Sequence, residues 1–208
     1  MKQTRLPAAL LALLLLLTAC GEKNVFQRGL VEGQTYTSEF LGLTCTAPEE
    51  FTYLTDQEIA RLNDITLEGM TDEALSQEMR QQLEDGSQVQ DMYLMTEDGR
   101  YWISITIDQL GEGDIDMEAF VASGVSQAES AYQSIDGMED VASAAQTVTF
   151  MGTQYSGIVT TASYNGFPVC SLQVCIPLEQ YICAITFTSY VEDHTDDMMT
   201  FFSPIPAA

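Results

Sequence analysis

Residues 141–191 read VASAAQTVTFMGTQYSGIVTTASYNGFPVCSLQVCIPLEQYICAITFTSYV, and this stretch decides the fold. Turn signals cut it at Gly152, at Asn165-Gly166 and from Pro177 to Gln180. Asn-Gly marks a two-residue hairpin, because both residues tolerate positive φ. The pieces between are Thr147 to Met151, Tyr155 to Tyr164, Phe167 to Ile176 and Tyr181 to Val191. They are rich in β-branched and aromatic residues and predict an antiparallel meander. Over these 51 residues the only charged side chain is Glu179. An antiparallel sheet with one wet face carries charges at alternate positions. Their absence predicts a sheet covered on both faces, hence an α+β fold built as an α/β/α sandwich around a mainly antiparallel sheet. The alternative is a neutral Ser/Thr/Tyr face left open for a ligand or partner.

Working outward, a short helix is expected from about Asp193 to Phe202, ending before Pro204, with Met198, Met199, Phe201 and Phe202 toward the core. Upstream, Asp116 to about Tyr132 predicts a helix whose positive N-terminus suits Asp114 and Asp116. Val89 to Thr96 and Arg100 to Ile107 flank Glu97-Asp98-Gly99, a hairpin signal. Thr71 to Leu83 places Leu75, Met79 and Leu83 at i, i+4, i+8 of an amphipathic helix. Thr55-Asp56-Gln57-Glu58 is a capping box that opens a helix stopping at Asn63. Phe40 to Ala47 has strand character and stops at Pro48.

The N-terminus is an address. Lys2 and Arg5 precede an apolar run from Leu6 to Leu17. Twelve helical residues rise only ~18 Å, short of a bilayer core, so the run is a signal-peptide core and not an anchor. It ends in Leu17-Thr18-Ala19-Cys20, which resembles the lipobox of bacterial lipoproteins. That resemblance implies lipid attachment at Cys20, cleavage just before it, and a protein held outside the cytoplasm on the cell membrane. The expected organisation is a signal peptide over 1–19, lipidated Cys20 with a flexible tether to residue 35, and one globular domain over 36–208. Phe26, Leu30 and Val31 in the tether offer a second reading, in which it docks on the domain.

The 208 residues carry 31 Asp+Glu against 7 Lys+Arg, a formal net charge of −24. Cleavage removes Lys2 and Arg5 and no acid, leaving −26. Nucleic-acid binding needs basic side chains to displace counterions, so it is excluded. The 46% hydrophobic fraction supports a folded core over disorder.

The residues hold little catalytic chemistry. His194 is the only histidine, and no Gly-x-Ser-x-Gly or Ser-x-x-Lys pattern accompanies it. It reads as a solvated residue at the start of the last helix. Cys170, Cys175 and Cys183 match no zinc spacing. With Cys20 lipidated, Cys45, Cys170, Cys175 and Cys183 remain; Cys170 and Cys175 point to opposite faces of one strand and cannot pair. A Cys175–Cys183 bridge needs a matching register, and the alternative is four free thiols packed as small hydrophobes. Two acidic clusters, Asp114-x-Asp116-x-Glu118 and Glu192 to Asp197, suggest hard-cation ligands, with Asp193, Asp196 and Asp197 the candidates. Neither matches the EF-hand pattern, and acid-rich helix starts also serve the helix dipole. No nucleotide motif and no cofactor site is expected.

Gln34 to Leu43, then Ala47-Pro48-Glu49-Glu50-Phe51 and Thr55 to Ile59, resemble uncharacterised lipoproteins of Gram-positive anaerobes with a PsbP-like domain. The sequence departs from their pattern at Glu50 and Phe51, where Gly and Trp are usual, and at Phe26, where Trp is usual. The likeness spans about Tyr36 to Phe202. It implies the α/β/α sandwich shared by the extrinsic protein of photosystem II and a Ran-binding nuclear transport factor. Those relatives bind proteins and do not catalyse, so the resemblance implies a non-catalytic binding module with a partner in the cell envelope or outside the cell. Small-ligand or cation binding is the alternative, and an unrecognised hydrolase the third reading.

Overall fold

The computed structural model describes residues 25–66, 71–110 and 115–205. Residues 1–19, expected as a signal peptide and including Leu17, Thr18 and Ala19, lie outside the described residues, as do Cys20 and Asp114. The meander is present as β7 (Met138–Phe150), β8 (Thr153–Tyr164), β9 (Phe167–Leu178) and β10 (Tyr181–Tyr190). All three of its turns are two residues long. Met151-Gly152 and Asn165-Gly166 carry positive φ at both positions, the type I′ geometry that matches strand twist. The hairpin β5 (Val89–Thr96) and β6 (Tyr101–Gln109) joins the meander through β6 and β10. With β4 (Phe51–Tyr53) the order is β4-β5-β6-β10-β9-β8-β7, antiparallel throughout.

The large sheet has two unlike faces. One carries Leu94, Ile103, Ile105, Val174, Ile185 and Phe187, all buried in the main core. Helices α1 (Asp56–Leu62) and α2 (Asp72–Glu84) add Ala60, Leu75, Met79 and Leu83 to that core. A second sheet shares it: β1 (Leu30–Glu32), β2 (Thr35–Ser38), β3 (Leu43–Thr46) and β11 (Phe202–Pro204), in the order β1-β2-β3-β11. The opposite face packs on α3 (Met117–Gln133), where Val121 meets Ile158, Cys175 and Ile182. Beneath it runs a row of hydroxyls. Ser143 and Thr160 lie 2.8 Å apart, and Thr188 donates to Ser171 at 3.1 Å. Thr160, Ser171 and Thr188 are buried and satisfy one another, so the middle of the uncharged stretch is covered on both faces, while its β7 end is largely exposed. The α+β sandwich stands, but one covering layer is partly a sheet.

One expectation is corrected here, and one choice between two readings is decided. The last helix, α4 (Thr195–Met199), ends five residues after it starts, and Phe202 begins β11. Phe202, Ser203 and Pro204 pair with Cys45, Thr44 and Leu43, so sheet pairing overrides the helical spacing of the apolar residues. Of the segment 20–35, expected either as a flexible tether or docked on the domain, residues 25–35 are docked, through Phe26, Arg28 and Gly29, while Leu30 and Val31 stay exposed. Phe26 has no exposed surface and meets Phe40 edge-on at 5.3 Å. Gly29 lies under the Tyr36 ring, where a Cβ would collide. Its N–H donates to both oxygens of Asp91 at 3.2 Å, and the Tyr36 hydroxyl donates to Asp91 at 2.6 Å. Arg28, with 4% of its side chain exposed, donates to Asp56 at 2.9 Å, and its backbone N–H donates to Ser76 of α2.

The caps follow the sequence. Thr55 and Glu58 form the reciprocal capping box. Thr71 accepts from the Ala74 N–H at the start of α2, and Asp116 accepts from the Ala119 N–H at the start of α3. Asn63 closes α1 and also bonds both backbone groups of Gln90, pinning the helix to the irregular step in β5 between Gln90 and Met92.

Candidate functional site

Three separate segments converge on one open cleft of about 1010 Å³. The turn before β4 supplies Glu49, Glu50 and Phe51; the β5–β6 turn supplies Glu97, Asp98 and Tyr101; α4 and the residues around it supply His194, Asp197, Met198 and Phe201. Phe51 and Met198 are buried, and Tyr101 and Phe201 half-buried, so the floor is apolar. Phe51 and Phe201 meet edge-on at 5.3 Å. The acids are exposed. The cleft therefore joins an apolar floor to a negative rim, and low-dielectric walls strengthen the field of such a rim.

Asp98 has a cation in its own turn. It accepts from the Arg100 N–H at 3.1 Å and from the Thr96 hydroxyl at 2.8 Å, and it pairs with the Arg100 guanidinium at 3.2 Å. Those hydrogen bonds hold its carboxyl below the usual range.

His194 sits at the start of α4, its ring edge-on to Tyr101 at 5.3 Å. Its Nδ1 lies 2.9 Å from Asp197 and its Nε2 lies 3.3 Å from Glu192. Two carboxylates on two ring nitrogens favour the doubly protonated imidazolium, and the hydrogen bond to Asp197 does most to raise the pKa. A histidine with a raised folded pKa adds stability that is full below its unfolded pKa of ~6.5 and fades as pH rises through the folded value. Asp197→Asn is expected to return the His194 midpoint toward the ordinary value. NMR titration of the ring protons reads this directly; an unmoved midpoint would remove Asp197 as the cause.

The other acids of that cluster do not converge. Asp193 accepts from the Thr195 N–H at 3.0 Å and hydroxyl at 2.8 Å, while Asp197 faces the imidazole and Asp196 is exposed. Asp116 is spent as a helix cap, and Glu118 is exposed. Among the described residues no group of three His, Cys, Asp or Glu side chains is placed to hold a metal ion. Each ring nitrogen of His194 faces a carboxylate, Asp197 or Glu192, and not a hydroxyl or thiol that it could activate.

No family model matches the chain, and no curated protein does. Solved structures do. One neighbour is LpqN, a protein involved in cell envelope biogenesis of Mycobacterium tuberculosis. The chain is 13% identical to LpqN, covering 79% of itself and 83% of that chain with a TM-score of 0.39.

The four described cysteines are free thiols. Cys175 stands opposite Ala184 and Cys183 opposite Ile176, so the two thiols fall on opposite faces of the sheet and cannot bridge. Burial pushes the Cys45 thiol up to about 12 and the Cys175 thiol to about 11, leaving both protonated and unreactive. The rim acids Glu49, Glu50, Glu97 and Asp98 were not legible as a site, because they lie nearly fifty residues apart in two turns. Among the described residues no helix is long and apolar enough to cross a membrane.

Proposed function

We propose that this chain is an extracytoplasmic binding protein, held on the cell membrane by a lipid on Cys20, whose cleft takes a cationic, apolar-bearing segment of another envelope or extracellular protein. The observation that carries this reading is the cleft itself, with its apolar floor of Phe51, Met198 and Phe201 under exposed Glu49, Glu50 and Glu97. A Lys or Arg side chain presents an aliphatic stem to such a floor and its charge to the rim. A chain of net −26 also attracts cations from a distance, which speeds encounter more than it tightens binding. The lipobox at 17–20 and the resemblance to PsbP-like lipoproteins support the location and the non-catalytic role.

Calorimetric titration of the full chain with a Lys-rich peptide bearing Leu and Phe side chains tests the reading. Binding is expected to weaken several-fold from low to physiological salt, as rim charges are screened over ~8 Å. Glu49→Gln with Glu97→Gln is expected to weaken it by roughly a further three- to tenfold, the range for two exposed ion pairs. Equal binding by the wild type and the double variant would place the peptide elsewhere. Membrane attachment that survives Cys20→Ser would end the lipid-anchor part of the reading.

A further inference from the structure

The large sheet ends on two unequal edges. At one end is β4, only three residues long. At the other is β7, which runs for 13 residues, pairs with β8 on one side, and has no strand on the other among the described residues. The outer edges of the small sheet, β1 and β11, are three residues each. An unpaired strand presents alternate backbone N–H and C=O groups outward, a template for another extended chain. Long edges are normally blunted by lysine, proline, inward charges or bulges. From Val141 to Phe150 the β7 edge has no charged residue and no proline, and its one irregular step lies before that run, between Glu139 and Ala142. Ala142, Ala144, Ala145, Gln146 and Thr147 are all exposed.

The neighbouring surface is built largely from small residues. Helix α3 packs on β7 and β8, and its outward residues include Ala122, Ser126, Ser130 and Ala131, all exposed. That stripe also carries Glu118 and Glu129, so the uncharged surface is the β7 edge itself, from Val141 to Phe150.

We propose that β7 pairs antiparallel with β7 of a second copy of this chain, extending the two seven-stranded sheets into one. The occupant follows from the edge. A backbone template calls for an extended strand of similar length, and among the described strand edges only β7 offers one, uncharged from Val141 to Phe150. Antiparallel self-pairing about a two-fold near Ala145 sets small residues against small residues, so neither copy needs a matched pocket. It also lets two strongly acidic molecules meet where neither carries charge. A two-fold contact of this kind closes on itself, and the joined sheet then ends at both sides on the three-residue β4.

The test uses the full chain in its membrane, with single cysteines placed at Ala142, Ala144, Ala145 and Thr147 and a mild oxidant. Directly opposed strand residues have Cβ atoms about 4.5–5.5 Å apart, close enough to cross-link. A disulfide-linked species of twice the chain mass is expected, strongest near Ala145, while Thr153→Cys at the hairpin turn gives none. Adding Ala144→Glu and Gln146→Glu is expected to lower the cross-linked fraction roughly tenfold through opposed like charges, with the far-UV spectrum unchanged. High salt is expected to raise the fraction, because it screens the mutual repulsion. Cross-linking no greater than at Thr153→Cys overturns the proposal. So does a cross-linked product of a mass other than twice the chain, which would mean that β7 takes the strand of a different protein.

Discussion

Phe187→Ala is expected to cost about 3–5 kcal/mol of folding stability, the range for removing a large buried aromatic side chain. Phe187 has no exposed surface and stands on β10, in the middle of the large sheet. Its ring lies 6.1 Å from Phe150, near the end of β7, and 5.7 Å from Phe202 of the small sheet. Phe150 and Phe202 are themselves 5.4 Å apart. Three rings from three strands therefore tie the curled edge of one sheet to its centre and to the second sheet. The small sheet is built from strands of three or four residues, too short to persist without such contacts. Truncating the ring removes the transfer free energy of its carbons and opens a cavity that two sheets cannot easily close. At ~2–4 °C per kcal/mol for a chain of this size, the melting temperature is expected to fall by roughly 10 °C. Phe187→Leu, which keeps most of the volume, is expected to cost less than half as much. A midpoint within about 2 °C of wild type for Phe187→Ala would mean that other contacts join the sheets.

This triad also shows where the sequence stops being informative. The meander was legible because its signals are local: Asn165-Gly166 sets a turn by its own φ preferences, and flanking β-branched runs supply the strands. The capping box at Thr55 and Glu58 is local for the same reason. Phe202 was not legible as a strand. Met198, Met199, Phe201 and Phe202 fit a helix face, and only pairing with Cys45, far along the chain, draws Phe202 out of it. Phe26 was ambiguous within a Gly-bearing stretch, since its burial depends on Phe40 and on a docked strap that no local pattern encodes. His194 stood out as the only histidine, but its nearest acids were read as cation ligands. In the fold two of them, Asp197 and Glu192, face the imidazole instead. The cleft rim is harder still, because its acids come from turns, where exposed Glu and Asp are ordinary.

Asp91→Ala is expected to cost a further large amount, about 3–5 kcal/mol, by leaving buried partners without their acceptor. Asp91 is 1% exposed beside the irregular step in β5 and accepts from the Tyr36 hydroxyl and the Gly29 N–H. Arg28 lies near enough to favour its charge, while the Cys183 thiol faces it from β10. These groups fasten the strap of residues 25–38 to the sheet, so hydrogen exchange is expected to speed up there before it does so in the meander. The same site sets a pH dependence. Desolvation pushes the Asp91 carboxyl up to about 6, outweighing Tyr36, Gly29 and Arg28, which all pull it down. For an acid with a raised folded pKa the native state holds the proton more tightly than the unfolded state. Stability from this group is therefore full below the unfolded value of 3.8 and is lost as pH rises from there through about 6, with about 1 kcal/mol of the loss falling between pH 5 and pH 7. His194 acts in the same direction, and so does the easing of repulsion among the acids, so the wild-type profile alone does not isolate Asp91. Asp91→Asn cannot ionise. Urea midpoints measured from pH 5 to pH 7 are expected to decline less steeply in Asp91→Asn than in the wild type. Parallel profiles would mean that Asp91 does not titrate in this window, and that Arg28 and the two hydrogen bonds hold it charged throughout.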